Sequence, residues 1–416
     1  MLRIIGSSDR SALEKLLSRR ARRLAQAEAV ARPILDAVRK RGDRALIEYA
    51  RRFDGLQGNS VRVPPAALQQ AATQLPEAFR RAVELASGHI WEFCQMQMPR
   101  TWRKRVRRGL SVGQVVRPLD SVAAYIPGGR YPLPSTLMMT VIPAQVAGVK
   151  TISVASPSRN PVLLGTAGLL GVKNFFQMGG AQAIAAFAFG TKTVPPANRI
   201  VGPGSIYVAA AKKLLAGEVG IDFVAGPTEI LIIAGDGKPA WLAADMLAQA
   251  EHDVDASAIL LTNSRRLAQQ VGREVERQLK TLPTRRVASK SIAANGAIVV
   301  TRTLDEAIEI ANRFAPEHIS VPDASYIEKI RSAGSVFVGP WSPEAAGDYA
   351  SGPNHVLPTG GQAALRGGLS VSDYVKVISV QELNRQGLKH MAAAITTLAR
   401  AEGLEAHARS VEARFA

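Results

Sequence analysis

Apolar residues recur along the first part of the chain at mixed three- and four-residue spacing. Between Ser11 and Arg51 the series is Leu13, Leu16, Leu17, Leu24, Ala27, Val30, Ile34, Leu35 and Val38. That is the period of a helix with one buried face. Pro76 suits the first turn of a further helix, and Phe79, Val83, Leu85, Ile90 and Phe93 carry helical spacing on to Gln95. Residues 1 to about 110 therefore read as mostly helical. From Ser121 the rhythm changes. Short β-branched runs (SVAAYIPGG, TISVASP, FFQMGG, RIVGPG, IDFVAGPTE) alternate with helical ones (STLMMTVIPAQVAGV, PVLLGTAGLLGV, AQAIAAFAFG, SIYVAAAKKLLAG). A second series runs EILIIAG, PAWLAADMLAQAEHD, SAILLTNS, a helix from Arg265 to Thr281, AIVVTR, LDEAIEIANRFA, HISV, the helix SYIEKIRSA and SVFVG. Strand–helix alternation of this kind predicts α/β structure, a parallel sheet covered by helices. From about Ser370 a strand and then helices form a tail.

Composition narrows this picture. The chain has 416 residues, 47% of them hydrophobic and 5% aromatic, enough for a large aliphatic core. Lys and Arg total 52 against 34 acids, a net charge of +18. The basic residues cluster at Arg19–Arg23 and Arg100–Arg108. Apart from Trp102 no aromatic residue interrupts these runs, and no nucleic-acid-binding module surrounds them, so they read as solvated basic faces. The single cysteine, Cys94, forms neither an internal disulfide nor a multi-thiolate metal site. It lies in a predicted helix and reads as a packing residue. No apolar segment has signal-peptide form or spans a membrane. A cytoplasmic protein is the expectation.

Three groups of residues carry candidate chemistry. Four predicted strand ends bear glycine: PGGR at 127–130, MGGAQ at 178–182, VGPGS at 201–205 and AGPTE at 225–229. Free N–H groups at such ends can hold a phosphate, and the set suggests a ligand along a carboxyl edge. In LAADMLAQAEHD, Gln249 and His252 are three apart and share one helix face, with Asp245 a turn earlier. Joined by Asp348 and His407, they would make a nitrogen and oxygen set suited to zinc. Finally, Arg313–Gly361 is crowded with Pro and Gly and contains Glu317, His318, Asp348 and His355. Glu317 and His318 reach one site only if the backbone turns, and Pro316 makes a turn at Ala315 plausible.

The motifs PGGRYPLPST, GGAQAIAAFAFGT, IVGPGSIYVAAAKK, GIDFVAGPTEI, LAQAEHD, FAPEHI, SAGSVFVG, WSPEAAGDYASGPNHVLPT and AEGLEAH occur in one order over essentially the whole chain. In this the chain resembles the histidinol dehydrogenases. The resemblance implies two incomplete Rossmann-like parallel-sheet domains, with an N-terminal helical region and a C-terminal tail. The expected divisions are 1–117, helical and packed with 229–369; 118–228, binding NAD; 229–369, binding zinc and substrate; and 370–416, a tail reaching the partner of a homodimer. It implies zinc-dependent oxidation of L-histidinol to L-histidine with two NAD. One zinc per subunit would be held by Gln249, His252, Asp348 and His407. Glu317 and His318 would be catalytic. Thr228, His355 and Glu402 would join the zinc ligands and His318 around substrate, and Tyr125, Gln182 and Ser205 would meet NAD. Ser205 stands where the family usually has asparagine, and Thr228 where it has serine. A related zinc and NAD dehydrogenase acting on another amino or sulfonated alcohol is the alternative.

The implied mechanism uses zinc as a template for substrate. His318 takes the alcohol proton, and Glu317 activates water for the second oxidation. With its one cysteine in a helical region, the chain favours an aldehyde hydrate over a thiohemiacetal. Glu402 and His407 are five apart, so both serve one site only if the tail bends. A zinc hydrolase would share the metal, Glu and His but form no NADH. A nucleic-acid-binding relative would show steep salt dependence without dehydrogenase activity.

Overall fold

A computed structural model describes residues 2–18, 24–129 and 131–416. The basic run Arg19–Arg23 and Arg130 of the PGGR loop lie outside the described residues. Two six-stranded sheets form the body. In the first, the strand Ser121–Tyr125 is central. The chain adds Thr151–Ser156 and Asn174–Gln177 on one side, then crosses to add Arg199–Val201 and Gly220–Ile221 on the other. The second sheet repeats this course. Glu229–Ile233 is central, Ser257–Thr262 and Ala297–Val300 lie on one side, and His318–Val321 and Ser335–Val338 on the other. Pairing within both sets of five is parallel. Each is a Rossmann-like half completed at one edge by a strand from far upstream. Arg62–Val63 pairs antiparallel with Asn174–Gln177, and Arg3–Gly6 pairs parallel with Ala297–Val300.

The N-terminal region, mostly helical, also supplies these two edge strands, and its helices are shared between the two sheets. Only the strand Arg3–Gly6 and the helix Arg10–Ser18, through Leu13, join the second sheet. The helices Leu24–Arg41 and Asp43–Asp54 bury Ala27, Ala31, Leu35, Val38, Leu46 and Ala50 against Tyr125, Phe176 and Phe187 of the first sheet's layer. Pro65–Thr73 and Glu77–Gln97 cover its other face through Leu68, Val83, Ile90 and Cys94. The reason is available apolar area: the first sheet's faces are lined by Ala, Val, Ile and Phe, and each added helix buries a stripe there. A link from this region to residues beyond the second sheet is the bond between His89 Nδ1 and the Ala350 carbonyl, 2.7 Å.

Other elements differ from the pattern in the sequence. Arg285–Asn295 is an additional helix, and the SYIEKIRSA stretch forms only a short 3-10 turn at Ala324–Lys329. The basic run after Arg100 is a strand, Trp102–Arg107, at the edge of a three-stranded antiparallel sheet with Leu110–Pro118 and Val375–Leu383. Charge on an edge strand discourages pairing with further chains. After it come the tail helices Arg385–Ala401 and Glu405–Glu412. No described helix is long and apolar enough to cross a membrane.

Candidate active site

The segment 222–228 leads from the carboxyl end of the first sheet's outer strand to the amino end of the second sheet's central strand. The chemistry-bearing residues gather at that amino end. Thr228 directly precedes Glu229–Ile233, and His318 opens the neighbouring strand, opposite Ile230. Ahead of it Ala315 takes the left-handed conformation (φ 47°, ψ 64°), the one non-glycine residue with positive φ among those described. The helix Leu304–Phe314 therefore stops short of Pro316, and the chain turns so that Glu317 and His318 are both buried.

A short helix supplies two more carboxyl groups. Within the Pro/Gly-rich loop, Glu344–Tyr349 is helical, which puts Glu344 and Asp348 on one face. Gly347 lets this helix close on the strand Ser335–Val338: a Cβ there would come within 2.6 Å of the Phe337 ring. That ring also lies against His318, with centroids 5.9 Å apart. His318, Glu344 and Asp348 form a cluster able to hold a cation. Glu344 was not singled out from sequence, although a Pro followed by acids four apart, PEAAGD, is a readable helix start.

Hydrogen bonds define what each group can do. His318 Nδ1 lies 3.3 Å from the Glu229 carbonyl and 3.1 Å from Glu344 Oε1, so Nδ1 carries the proton. Its Nε2 is buried with no hydrogen-bond partner among the described residues, 3.9 Å from Asp348 Oδ1. Burial holds this imidazole neutral, with its pKa down to about 3. The carboxyl groups around it do not reverse this, because burial also pushes Glu317 and Glu344 well above the usual carboxylate range. His355 is fixed at both nitrogens, Nδ1 against the Asp348 carbonyl at 2.8 Å and Nε2 against Thr136 Oγ1 at 3.2 Å. Burial lowers its pKa to about 4. Thr136 belongs to the helix Pro134–Ala147, so His355 ties the first sheet's layer to the site.

Glu317 Oε2 accepts from Thr228 Oγ1 at 2.5 Å and from the Glu229 N–H at 2.9 Å. Gln249 Nε2 donates to the same Thr228 hydroxyl at 2.7 Å. Its oxygen then sits against the Glu344 carboxylate, acceptor to acceptor. Turning the amide relieves this, giving the nitrogen to Glu344 and letting the oxygen accept from Glu229 N at 2.8 Å. A proton on the Glu344 carboxyl, which its burial favours, relieves it without a turn. His252 Nε2 lies 3.7 Å from Asp348 Oδ2. His252 is not on the helix, as the spacing suggested: Pro239–Ala250 ends before it, and His252 N bonds back to the Gln249 carbonyl. Asp245, a turn earlier, has its pKa raised by burial to about 6 and faces Glu344 electrostatically. An amide oxygen, an imidazole and a carboxylate beside an orphaned imidazole nitrogen fit zinc.

The structure does not bring every expected residue here. Glu402 and His407 are exposed on the tail, which bends at Gly403 (φ 77°) between its two helices. Tyr125, Gln182 and Ser205 lie instead at the carboxyl edge of the first sheet. Two of the glycine loops there have N–H groups already engaged. Gly179 N donates to Asp54 Oδ2 at 2.8 Å, Gly180 N to Tyr125 Oη at 3.1 Å, and Gly202 N to Asp222 Oδ2 at 2.7 Å. The AGPTE loop is not at that edge but joins the two sheets. Asp54 and Asp222 were invisible as partners in sequence, being respectively 125 and 20 residues from the glycines they bind.

The family model of histidinol dehydrogenase matches residues 17–415. A histidinol dehydrogenase of Halalkalibacterium halodurans is 46% identical over 391 residues, 92% of each chain. One from Thermus thermophilus is 47% identical over 392 residues, 93% of this chain and 94% of the relative. The crystal structure of histidinol dehydrogenase from Elizabethkingia anophelis superposes with a TM-score of 0.95 at 35% identity, covering 100% of this chain and 98% of the other.

Proposed function

This chain belongs to the histidinol dehydrogenase family, and from that premise we propose that it oxidises L-histidinol to L-histidine through the aldehyde. The reaction uses two NAD and one zinc ion per subunit of a homodimer. The observation that carries this reading is the state of His318: its Nδ1 proton is held by Glu229 and Glu344, which leaves a lone pair on a buried, unpartnered Nε2. That is the form of imidazole that removes a proton from an alcohol. When bound, zinc would hold the substrate's imidazole and amine nitrogens and NAD would accept hydride.

The chain's own groups supply the rest. Gln249, His252 and Asp348 are the zinc donors in one subunit, and His407 of a second copy completes them. His318 Nε2 takes the hydroxyl proton in the first oxidation. Glu317, made more basic by burial, takes a proton from water so that the hydrate forms, and His318 serves again in the second. His355 and Glu402 bind substrate. Thr228 retains a hydroxyl that bonds Glu317. Tyr125, Gln182 and Ser205 border the dinucleotide. Ser205 precedes the helix Ile206–Leu215 without a side-chain cap, so its short side chain does not compete for the first N–H groups.

The dimer is supported by the uncovered third sheet. Val375–Leu383 has almost no buried position; Trp102, Val106, Val377 and Ile378 on the sheet are exposed, as are Leu398 and Leu404 on the tail that follows it. An apolar surface of this kind on a thin sheet calls for a partner. The deciding assay is NADH absorbance with L-histidinol, before and after chelation. Two NADH per histidinol, lost on chelation and restored by zinc, are expected. Turnover without NADH would point to a hydrolase and end this reading.

A further inference from the structure

Asp54 is the last residue of the helix Asp43–Asp54. A carboxylate there meets the negative end of the helix dipole. Burial adds to the cost and raises its pKa. What holds it is the start of another helix, Gly180–Phe189. Gly179 N donates to Asp54 Oδ2 at 2.8 Å, and Gln182 Nε2 donates to the same oxygen at 3.0 Å. The fit is close: a Cβ on Gly179 would come within 2.7 Å of Asp54 Oδ1. Beside it, Gly180 (φ 57°) turns its N–H to Tyr125 Oη.

This arrangement decides which end of the Gln182 amide is offered to a ligand. An ionised carboxylate only accepts hydrogen bonds. With Nε2 committed to Asp54, the amide must turn its oxygen the other way. That oxygen lies against Gly180, 2.7 Å from where a Cβ would stand, and has no hydrogen-bond partner among the described residues. We propose that Asp54 is a positioning residue for cofactor binding: it locks the Gln182 amide so that the carboxyl edge of the first sheet presents a carbonyl acceptor to a hydrogen-bond donor of the dinucleotide. The inference rests on the NAD reading above and extends it to a residue from outside the sheet.

Full-length, zinc-loaded variants test it: Asp54→Asn, Asp54→Leu, Gln182→Glu and the last joined to Asp54→Asn. Both bonds run to one carboxylate oxygen, so the amide oxygen in Asp54→Asn can accept from Gly179 N and from Gln182 Nε2 together, and KM for NAD stays within about threefold of wild type. Asp54→Leu removes that acceptor. The Gln182 amide is then free to turn, and KM for NAD rises about tenfold, the effect of one hydrogen bond replaced by a mismatch, while KM for histidinol holds. An unaltered KM for NAD in Asp54→Leu overturns the proposal. So does a parallel rise in both KM values, the mark of a structural role. If the wild type forms no NADH, the NAD reading itself fails. The orientation is then decided without ligand: Gln182→Glu sets two carboxyl groups together and lowers the melting temperature, and adding Asp54→Asn restores it. Absence of that recovery also overturns the proposal.

Discussion

Burial does most of the chemical work at single residues here. Glu317 is surrounded by protein, and its one good compensation is the pair of donors from Thr228 and Glu229. Glu317→Gln keeps the shape and an acceptor for Glu229 N but removes the base. The first oxidation, which needs only His318 as base, should survive largely intact. The second, which needs activated water, should fall by about a hundredfold or more. Single-turnover NADH yields on histidinol and on histidinal separate the two steps, and equal losses would remove Glu317 from water activation. Cys94 shows the opposite use of burial. Its thiol is pushed up to about 11, so at pH 8 roughly one molecule in a thousand carries the thiolate. Cys94→Ala should retain most activity, and the native protein should resist thiol reagents until unfolded. Trapping of the aldehyde on Cys94 during turnover would refute this. The lone cysteine and the Pro316 turn were legible from sequence. Glu344 was not, because its role depends on the approach allowed by Gly347 and Phe337.

Elements are held in register by buried polar contacts that leave little trace in local sequence. Lys212, in the helix Ile206–Leu215, is buried against Asp222, and together they clamp one residue. Gly202 N donates to Asp222 Oδ2 at 2.7 Å, while Lys212 Nζ donates to the Gly202 carbonyl at 3.1 Å. Gly202 has φ 109°, and a Cβ there would lie 2.2 Å from the Tyr125 carbonyl, so no other residue fits. Lys212→Met leaves a buried carboxylate without its cation and should cost about 3–5 kcal/mol in chemical unfolding. Adding Asp222→Asn keeps an acceptor for Gly202 and should recover most of that loss; no recovery would mean the pair is not the relevant contact. Strand–helix alternation was readable because both sheets bury their strands on two faces and leave continuous apolar runs. The strands Arg3–Gly6 and Arg62–Val63 were not readable. Each is short and gains its pairing from residues more than a hundred positions away. The same distance hid Asp54 behind a helical pattern.

At the scale of the molecule, two Rossmann-like halves are joined so that the glycine-rich carboxyl edge of one leads to the amino end of the other, where Glu317 and His318 are buried. The tail is anchored away from both. Its strand Val375–Leu383 pairs along its whole length with Leu110–Pro118, and its helices carry Glu402 and His407 into solvent. Gly403 supplies the bend between the two tail helices. On the proposed reading Gln249, His252 and Asp348 would hold zinc in one subunit, and the exposed apolar residues of the third sheet give a reason for a second copy to lie against this one. If the tail crosses to that copy, His407 and Glu402 complete its site, and a two-fold arrangement makes the exchange mutual. Co-expression of His252→Ala with His407→Asn tests this. Each variant alone is inactive. In a mixed dimer one site is intact and the other carries both lesions, so random pairing restores roughly a quarter of wild-type activity. If the tail served its own subunit, every site would carry one lesion and mixing would restore nothing. That result, with mixed dimers confirmed by mass, would place His407 in its own chain's site or outside the site altogether.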